Sequence, residues 1–290
     1  MLSILLPVYN WNVGPLVRDL HEQALQLALP FEIRVYDDAS PLGYGAWKSV
    51  GELPQVVVRC SAQNEGRARL RNRLASDARG NWLLFLDADA APPDAYFLGR
   101  YWQQRHRASV LCGGTAYADA PPEAPEQYLR WHFGRHREQR TAARRTKAPY
   151  AAFSTFNFMI RRETFRAIRF DDSLRHYGHE DTLFGWELER RGIAIHHLDN
   201  PLLHLGLDSA AQFLEKTRQG IRNLHRLRQR HPGFGTRLVT AAERLGPFGP
   251  VLSAMRSTLE NRLLGIRPRL WMLDVWKLGV YRDSATNNGQ

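Results

Sequence analysis

The sequence predicts an α/β fold, a mainly parallel sheet flanked by helices, followed by a C-terminal helical extension. Three observations predict it. Short apolar runs alternate with segments of helical period through the first third of the chain. Several of those runs end in Asn or Asp, and from about Asp208 onward the pattern is helical alone.

Leu2–Val8 is an apolar run of strand length, and Leu16–Leu29 has helical periodicity. Glu32–Tyr36 and Val56–Arg59 are short strands rich in β-branched residues, and Arg67–Ala78 reads as a basic helix. Trp82–Leu86 is a buried-strand candidate that runs directly into Asp87-Ala88-Asp89. A βαβα order implies parallel strands, and such sheets bind ligands at the carboxyl ends of their strands. Asn10, Asp37 with Asp38, Asn64, and Asp87 with Asp89 all follow strands in this way.

The middle of the chain is less regular. Pro121, Pro122 and Pro125 mark a loop, and the basic segment Arg130–Lys147 after it reads as a mobile or acceptor-facing flap. Phe153–Ile160 resumes a strand pattern, Glu180–Arg191 is a helix stopped by Gly192, and Ile193–His196 is a short strand. Ser209-Ala-Ala-Gln212 fits a capping box, with Leu214, Ile221, Leu224 and Leu227 on one helical face behind it. Pro232-Gly233 and Gly246-Pro247 punctuate the extension, whose further helices span Val251–Leu264 and Leu270–Tyr281. The expected division is 1–205 and 206–290.

Composition narrows the class. Of 290 residues, 43% are hydrophobic and 24% charged, as in globular proteins rather than disordered or membrane-spanning ones. Met1–Tyr9 is apolar only until Asn10, Trp11 and Asn12, so no secretory leader is expected, and no later stretch has the length of a membrane span. Cys60 and Cys112 stand far apart and suit reduced thiols, which implies a cytoplasmic location. The net charge of +11 is uneven. Leu205 to Gln290 holds 14 Lys/Arg against 6 Asp/Glu, and Arg130–Lys147 holds seven against Glu138 alone. Such clusters attract nucleic acid, anionic lipid or a phosphorylated substrate, and charge does not choose among them.

Asp87 and Asp89, one residue apart at a strand end, can share Mg²⁺ or Mn²⁺ with a diphosphate, and the same spacing also makes a plain polar turn. Asp37-Asp38-Ala39-Ser40 suits either a nucleoside contact or an Asx turn before Pro41. Asn64-Glu65-Gly66 followed by Arg67, Arg69 and Arg71-Asn72 suits a diphosphate at a helix N-terminus, or a solvated basic face. In His179-Glu180-Asp181 a carboxylate can deprotonate an acceptor hydroxyl, or simply complement the helix dipole. His204 is either a third metal ligand through its imidazole or a packed side chain, and His196 and His197 carry the same two readings.

Taken in order, these segments resemble family 2 of the nucleotide-sugar glycosyltransferases, of bacterial type, over roughly Leu2 to His204. Ser3-Ile-Leu-Leu-Pro-Val-Tyr-Asn10 is similar to the family's opening strand, Asp37-Asp38-Ala-Ser40 to its nucleoside turn, and Asn64-Glu-Gly66 with Arg71-Asn72 to its next donor segment. Leu86-Asp-Ala-Asp-Ala90 resembles its metal motif, and Phe156-Asn157-Phe-Met-Ile-Arg161-Arg162 the strand leading to the acceptor side. Phe170-Asp171 through Tyr177-Gly178-His179-Glu180-Asp181 resembles the acidic motif, on a helix ending at Arg190-Arg191-Gly192.

The resemblance implies the GT-A (Rossmann-like) fold and an inverting hexosyl- or N-acetylhexosaminyltransferase that uses a nucleotide diphosphate sugar, by family habit UDP. It implies Mn²⁺ or Mg²⁺ as cofactor, on Asp89 with Asp87 and His204. Donor contacts would come from Pro7, Tyr9, Asn10, Asp37, Asp38, Asn64, Gly66, Arg71 and Asp87. Asp181 would be the general base, with Glu180, His179 and Asn157 toward the acceptor, a cell-envelope glycan or lipid-linked precursor in polysaccharide biosynthesis. His179 departs from relatives that carry a small or neutral residue there. Polymer-forming relatives carry membrane spans or a product-guiding motif that this sequence lacks, which implies single-sugar addition.

The C-terminal extension matches no motif. Its basic helices, with Trp271, Met272, Val275, Trp276, Leu278 and Tyr281, suit an anionic membrane at the inner face of the cell or a helical cap on the domain or a second subunit. Two other classes compete. A sugar-nucleotide nucleotidyltransferase would place a glycine-rich basic loop after the first strand, where Pro7-Val8-Tyr9-Asn10 stands. A basic membrane- or nucleic-acid-binding protein on a degenerate scaffold would explain the tail but not the carboxylates at strand ends, so no nucleic-acid partner is expected.

Overall fold

A computed structural model describes residues 1–41, 45, 47–173, 178–245 and 249–287. Tyr177 of the acidic motif and the Gly246-Pro247 break lie outside the described residues. The chain forms two compact units, and the division is not a single cut. One unit comprises Met1–Tyr117, Gln139–Arg175 and Glu180–Gly206, the other Ala118–Glu138, His176–His179 and Leu207–Gln290.

The first unit opens with β1 (Leu2–Val8), α1 (Gly14–Gln26), β2 (Phe31–Asp37), β3 (Val56–Cys60), α2 (Arg67–Asp77) and β4 (Trp82–Leu86). It continues with β5 (Ala90–Ala91), α3 (Phe97–Gln104), β6 (Val110–Cys112) and β7 (Thr115–Ala116). After α4 (Tyr128–Phe133), which belongs to the second unit, come α5 (Ala142–Thr146), β8 (Asn157–Arg161), α6 (Arg162–Ile168), α7 (Glu180–Arg190), β9 (Ile195–His197) and β10 (Leu202–His204). The large sheet has the order β3-β2-β1-β4-β8-β6-β9, in which β8 alone runs antiparallel to its neighbours. The mainly parallel sheet flanked by helices is therefore as the sequence predicts. A small second sheet, β5-β10-β7, sits at the strand ends.

One face of the large sheet is covered by α1, which buries Leu16, Val17, Leu20 and Ala24. Pro15 falls in its first turn, where a missing N–H costs nothing, so the helix begins before the expected Leu16. Under the other face Phe85, Phe153, Phe158, Phe165, Phe170 and Phe184 form one aromatic cluster. The β4–β8 register sets Phe85 opposite Phe158, with ring centroids 4.8 Å apart. Such pairs contribute about 0.5–1.5 kcal/mol beyond the area they bury. β2 also buries charge: Arg34 and Glu32 pair at 2.8 Å, and Glu32 accepts from the Ser3 hydroxyl and the Arg79 backbone N–H.

One expectation changes and two segments gain structure that the sequence pattern did not specify. The strand expected from Phe153 starts at Asn157, because Phe153 turns into the aromatic cluster. β6, in the interior of the sheet, was not anticipated, since three residues are too few to show a period. The basic segment 130–147, expected as a mobile or acceptor-facing flap, holds the end of α4, a π-helical turn Gly134–Glu138, and α5. Within it Arg145 is only 5% exposed and donates to the carbonyls of Cys112, Gly113 and Leu198 at 2.8–2.9 Å. Burial lowers its pKa, and among the described residues no carboxylate pairs with it, so carbonyl dipoles hold the charge.

The second unit is helical: α4, then α8 (Ala210–Arg230), α9 (Arg237–Arg244), α10 (Gly249–Leu263) and α11 (Leu270–Asn287). The capping box is present, with Ser209 Oγ accepting from Gln212 N and Gln212 Oε1 from Ser209 N. Leu214, Ile221, Leu224 and Leu227 are all buried, as their spacing predicts. α11 buries Leu273, Trp276, Val280 and Tyr281, and Trp276 Nε1 donates to Glu260 at 3.1 Å. Gly279 lets α10 and α11 approach closely, since a β-carbon there would stand 2.8 Å from the Leu252 carbonyl oxygen. Among the described residues, no helix is long and apolar enough to cross a membrane.

Candidate active site

The ends of β1 and β2 are tied together by short polar contacts. Asn10, at φ +50°, donates its N–H to Ser40 Oγ at 2.8 Å. Asp37 accepts from the backbone N–H and hydroxyl of Ser40, closing an Asx turn, and from the Cys60 thiol. Burial and the hydrogen bond to Asp37 push that thiol up to about 11, so it stays a proton donor. Asp38 accepts from the N–H groups of Glu65 and Gly66 at 2.7 and 3.0 Å, while Asn64 Nδ2 donates to its carbonyl oxygen. Burial raises the Asp38 carboxyl above its ordinary value, and those two N–H groups pull partly against it.

Gly66, at φ +85°, caps α2, a backbone conformation that a β-carbon would strain. Asp37 and Asp38 thus shape the turn and also present carboxylates at the strand ends. Each Asp38 oxygen retains a lone pair beyond the bond it accepts. Tyr9 is half exposed beside this turn, and Pro7 is partly buried.

Arg71 joins the next two motifs. It is 1% exposed, donates from Nη2 to Asp87 Oδ1 at 2.7 Å, and stands 3.7 Å from Glu180 Oε1 through Nη1. The Phe170 ring lies 5.6 Å from its guanidinium carbon. Among the described residues its Nε and Nη1 are buried without a hydrogen-bond partner, leaving donors for an anion or water. The sequence suggested a solvated basic face or a phosphate contact for this helix; Arg71 itself is a buried link between the end of β4 and the start of α7.

Asp89 and His204 form the second centre. β5 and β10 pair antiparallel with Ala90 opposite His204, and this register brings the imidazole Nε2 to 3.3 Å from Asp89 Oδ2. Tyr117 and Phe156 meet the His204 ring edge-on at 5.4 and 5.2 Å. Burial raises the Asp89 carboxyl, but the His204 hydrogen bond and charge, with the charge of Arg67, outweigh that and hold it below its usual value. Two ligands of an octahedral ion, each about 2.1 Å away, stand about 3.0 Å apart, so this pair fits a shared divalent cation. Among the described residues no group of three metal-ligating side chains gathers, and Asp87 Oδ1 accepts from Arg71. The rest of such a shell would be diphosphate oxygen and water.

Asp181 lies in the first turn of α7, partly buried. Its Oδ1 accepts from the backbone N–H of Thr182 at 2.7 Å and from the Thr182 hydroxyl at 3.2 Å. Burial first, then the charge of Glu180, push its carboxyl up to about 6, against the pull of Thr182 and Arg71. A carboxylate titrating there is poised to accept a proton near neutral pH.

Asn157 takes a different place. It is 2% exposed, with both amide donors spent on the carbonyls of Gly114 and Asn200 and its oxygen bonded to Tyr101 OH. His179, at φ +69°, belongs to the second unit, next to Gly178, where a β-carbon would come within 2.7 Å of Gly220 Cα. Arg67, which the sequence placed in the basic diphosphate segment, acts instead through its charge on Asp89, and two contributors had no signal in the sequence: Thr182, on Asp181, and Gly206. A β-carbon on Gly206 would stand 2.8 and 2.9 Å from Asp89 Cβ and Cγ.

A mainly parallel sheet flanked by helices, with carboxylates at its strand ends, is the GT-A architecture. Comparison with known proteins agrees. The model of glycosyl transferase family 2 matches residues 3–169, more than half of the chain, and the protein belongs to that family. An uncharacterized glycosyltransferase of Haemophilus influenzae is 37% identical over 91 residues, a match spanning 31% of this chain and 29% of that relative. Among solved structures, the mannosyltransferase PcManGT of Pyrobaculum calidifontis, in complex with GDP-Man and Mn²⁺, is similar with a TM-score of 0.55 at 15% identity, covering 99% of this chain and 74% of that one. TarS 1–349 of S. aureus in complex with UDP-GlcNAc is similar with a TM-score of 0.51 at 18% identity, covering 100% of this chain and 92% of that one.

Proposed function

We propose that this chain moves a hexosyl or N-acetylhexosaminyl group from a nucleotide diphosphate donor, UDP by the family's habit, to a hydroxyl of a cell-envelope glycan or lipid-linked precursor, with inversion. The observation that carries the reading is the Arg71 bridge: one buried guanidinium bonded to Asp87 and facing Glu180 sets the acidic motif beside the strand-end carboxylates. GDP-Man with Mn²⁺ in one structural neighbour and UDP-GlcNAc in another support a nucleotide-sugar donor.

Asp37 and Asp38 hold the nucleoside turn, with Pro7, Tyr9, Asn10, Asn64 and Gly66 lining it. Asp89 and His204 hold Mn²⁺ or Mg²⁺, and a divalent ion supplies offset for the charge that builds on a departing diphosphate. Asp87, oriented by Arg71, reaches the ribose. Asp181 takes the proton from the acceptor hydroxyl, and Glu180 and His179 face the acceptor side. Asn157 supports the sheet end rather than the acceptor. The enzyme works at the cytoplasmic face of the cell membrane.

The test is a donor panel of UDP- and GDP-sugars incubated with the chain and Mn²⁺, read by nucleotide diphosphate release, followed by NMR of the anomeric proton of the product. Release from one donor with inverted configuration is the expected result. No release from any donor, or retained configuration, contradicts the proposal.

A further inference from the structure

In the second unit α10 passes to α11 through Leu264-Gly265-Ile266-Arg267-Pro268-Arg269. Ile266 is 74% exposed, Trp271 48% and Leu264 47%, three large apolar side chains within eight residues of chain. Val251 and Met255, also exposed, lie one turn apart on α10, on the helical face that continues to Arg262. From Asn261 to Leu273 the charged residues are Arg262, Arg267 and Arg269, with no carboxylate.

All three of those arginines are exposed, and their side chains have no ion-pair or hydrogen-bond partner among the described residues. Elsewhere in the same unit several arginines are paired, Arg218 with Glu260, Arg228 with Glu243 and Arg256 with Asp283, and the exposed Arg222 and Arg226 of α8 have no large apolar side chain exposed beside them in sequence. α11 sorts its aromatics likewise, with Trp276 and Tyr281 packed inside and Trp271 left outside.

Exposed apolar side chains interleaved with unpaired arginines match the interfacial layer of an anionic bilayer. There Leu and Ile meet the acyl boundary, Trp sits at headgroup level, and arginine reaches lipid phosphate. A second copy fits this surface poorly, because a two-fold contact would set unpaired arginines against arginines. Nucleic acid would satisfy the arginines but leave Leu264 and Ile266 in water. We propose that the α10–α11 turn is the membrane-docking element of this chain: Leu264, Ile266 and Trp271 enter the headgroup region of an anionic bilayer, and Arg262, Arg267 and Arg269 bind its phosphates. This deepens the lipid-linked acceptor reading, and its test uses no turnover.

The experiment is co-sedimentation of the full chain with phosphatidylcholine vesicles, with and without about one-third phosphatidylglycerol. Binding is expected to the anionic vesicles and to fall with added salt. Arg267→Ser with Arg269→Ser should weaken it about 25-fold, at about fivefold per arginine. Ile266→Ser with Trp271→Ser should weaken it about tenfold or more. Arg222→Ser with Arg226→Ser, two exposed α8 arginines, should change it by less than about threefold. Circular dichroism and nucleotide binding establish that each variant is folded. The proposal is overturned if anionic vesicles do not bind the wild type, or if the turn variants bind as well as it does. It is equally overturned if the α8 pair removes binding, or if Ile266→Ser instead dissolves a dimer in solution. Vesicle binding without nucleotide binding would sink the transferase reading and leave this one standing.

Discussion

Replacing Asp181 by Asn should make the protein more stable and nearly inactive at the same pH. The Asp181 carboxyl is pushed up to about 6 from an ordinary 3.8, by burial and then by Glu180. The folded chain therefore holds that proton more tightly than the unfolded chain does. Its contribution to stability is full below about pH 4 and is lost as the pH rises through about 6. At about 1.4 kcal/mol per pH unit, reduced for partial solvent access, the cost at pH 8 is about 1–3 kcal/mol. Asn keeps the shape and still accepts from Thr182, but carries no charge to desolvate. Thermal melts should place Asp181→Asn about 2–6 °C above the wild type at pH 8, with the gap closing near pH 4. Turnover should fall by about 100-fold or more, and the wild-type rate should rise with pH through about 6. An Asn variant less stable than the wild type at pH 8, or one that turns over normally, would refute the reasoning.

Other perturbations test the surrounding parts. Gly206→Ala drives a methyl group into Asp89, so metal-dependent nucleotide affinity should fall by about tenfold or more in titration calorimetry, with the circular dichroism spectrum unchanged. Arg71→Met removes the cation between Asp87 and Glu180, and with it a charge that lowers the Asp181 carboxyl. It should cost about 2–4 kcal/mol in urea unfolding and move the acidic limb of the rate profile to higher pH. Arg145→Met removes one donor from each of the carbonyls of Cys112, Gly113 and Leu198, which keep a backbone N–H, and should cost about 1–3 kcal/mol, with nucleotide affinity unchanged below the melting range.

What the sequence disclosed follows from what is local. The apolar runs of β1 and β4, the periodic face of α8 and the Ser209–Gln212 box are each written within one short segment, and each is present. The strand-end carboxylates were legible too, because a parallel sheet brings its carboxyl ends to one edge. What the local pattern left open, and only the resemblance or the structure supplied, depends on distant partners. Arg71 reads as one more charge on a basic helix until Glu180, far along the chain, arrives beside it. Asp89 meets His204 only through the two-residue β5 strand, which has no period to detect. Arg145 sits in the most basic stretch of the middle segment yet is buried, since the carbonyls that solvate it come from Cys112, Gly113 and Leu198.

The most direct test of the central claim is calorimetric titration of UDP, with GDP and dTDP beside it, into the wild type and Asp89→Ala, in Mn²⁺ and in EDTA. The account predicts that one nucleotide binds the wild type in Mn²⁺, that EDTA weakens it by about tenfold or more, and that Asp89→Ala abolishes the metal-dependent part. Binding of equal strength in all four conditions, or no binding of any nucleotide, would contradict it.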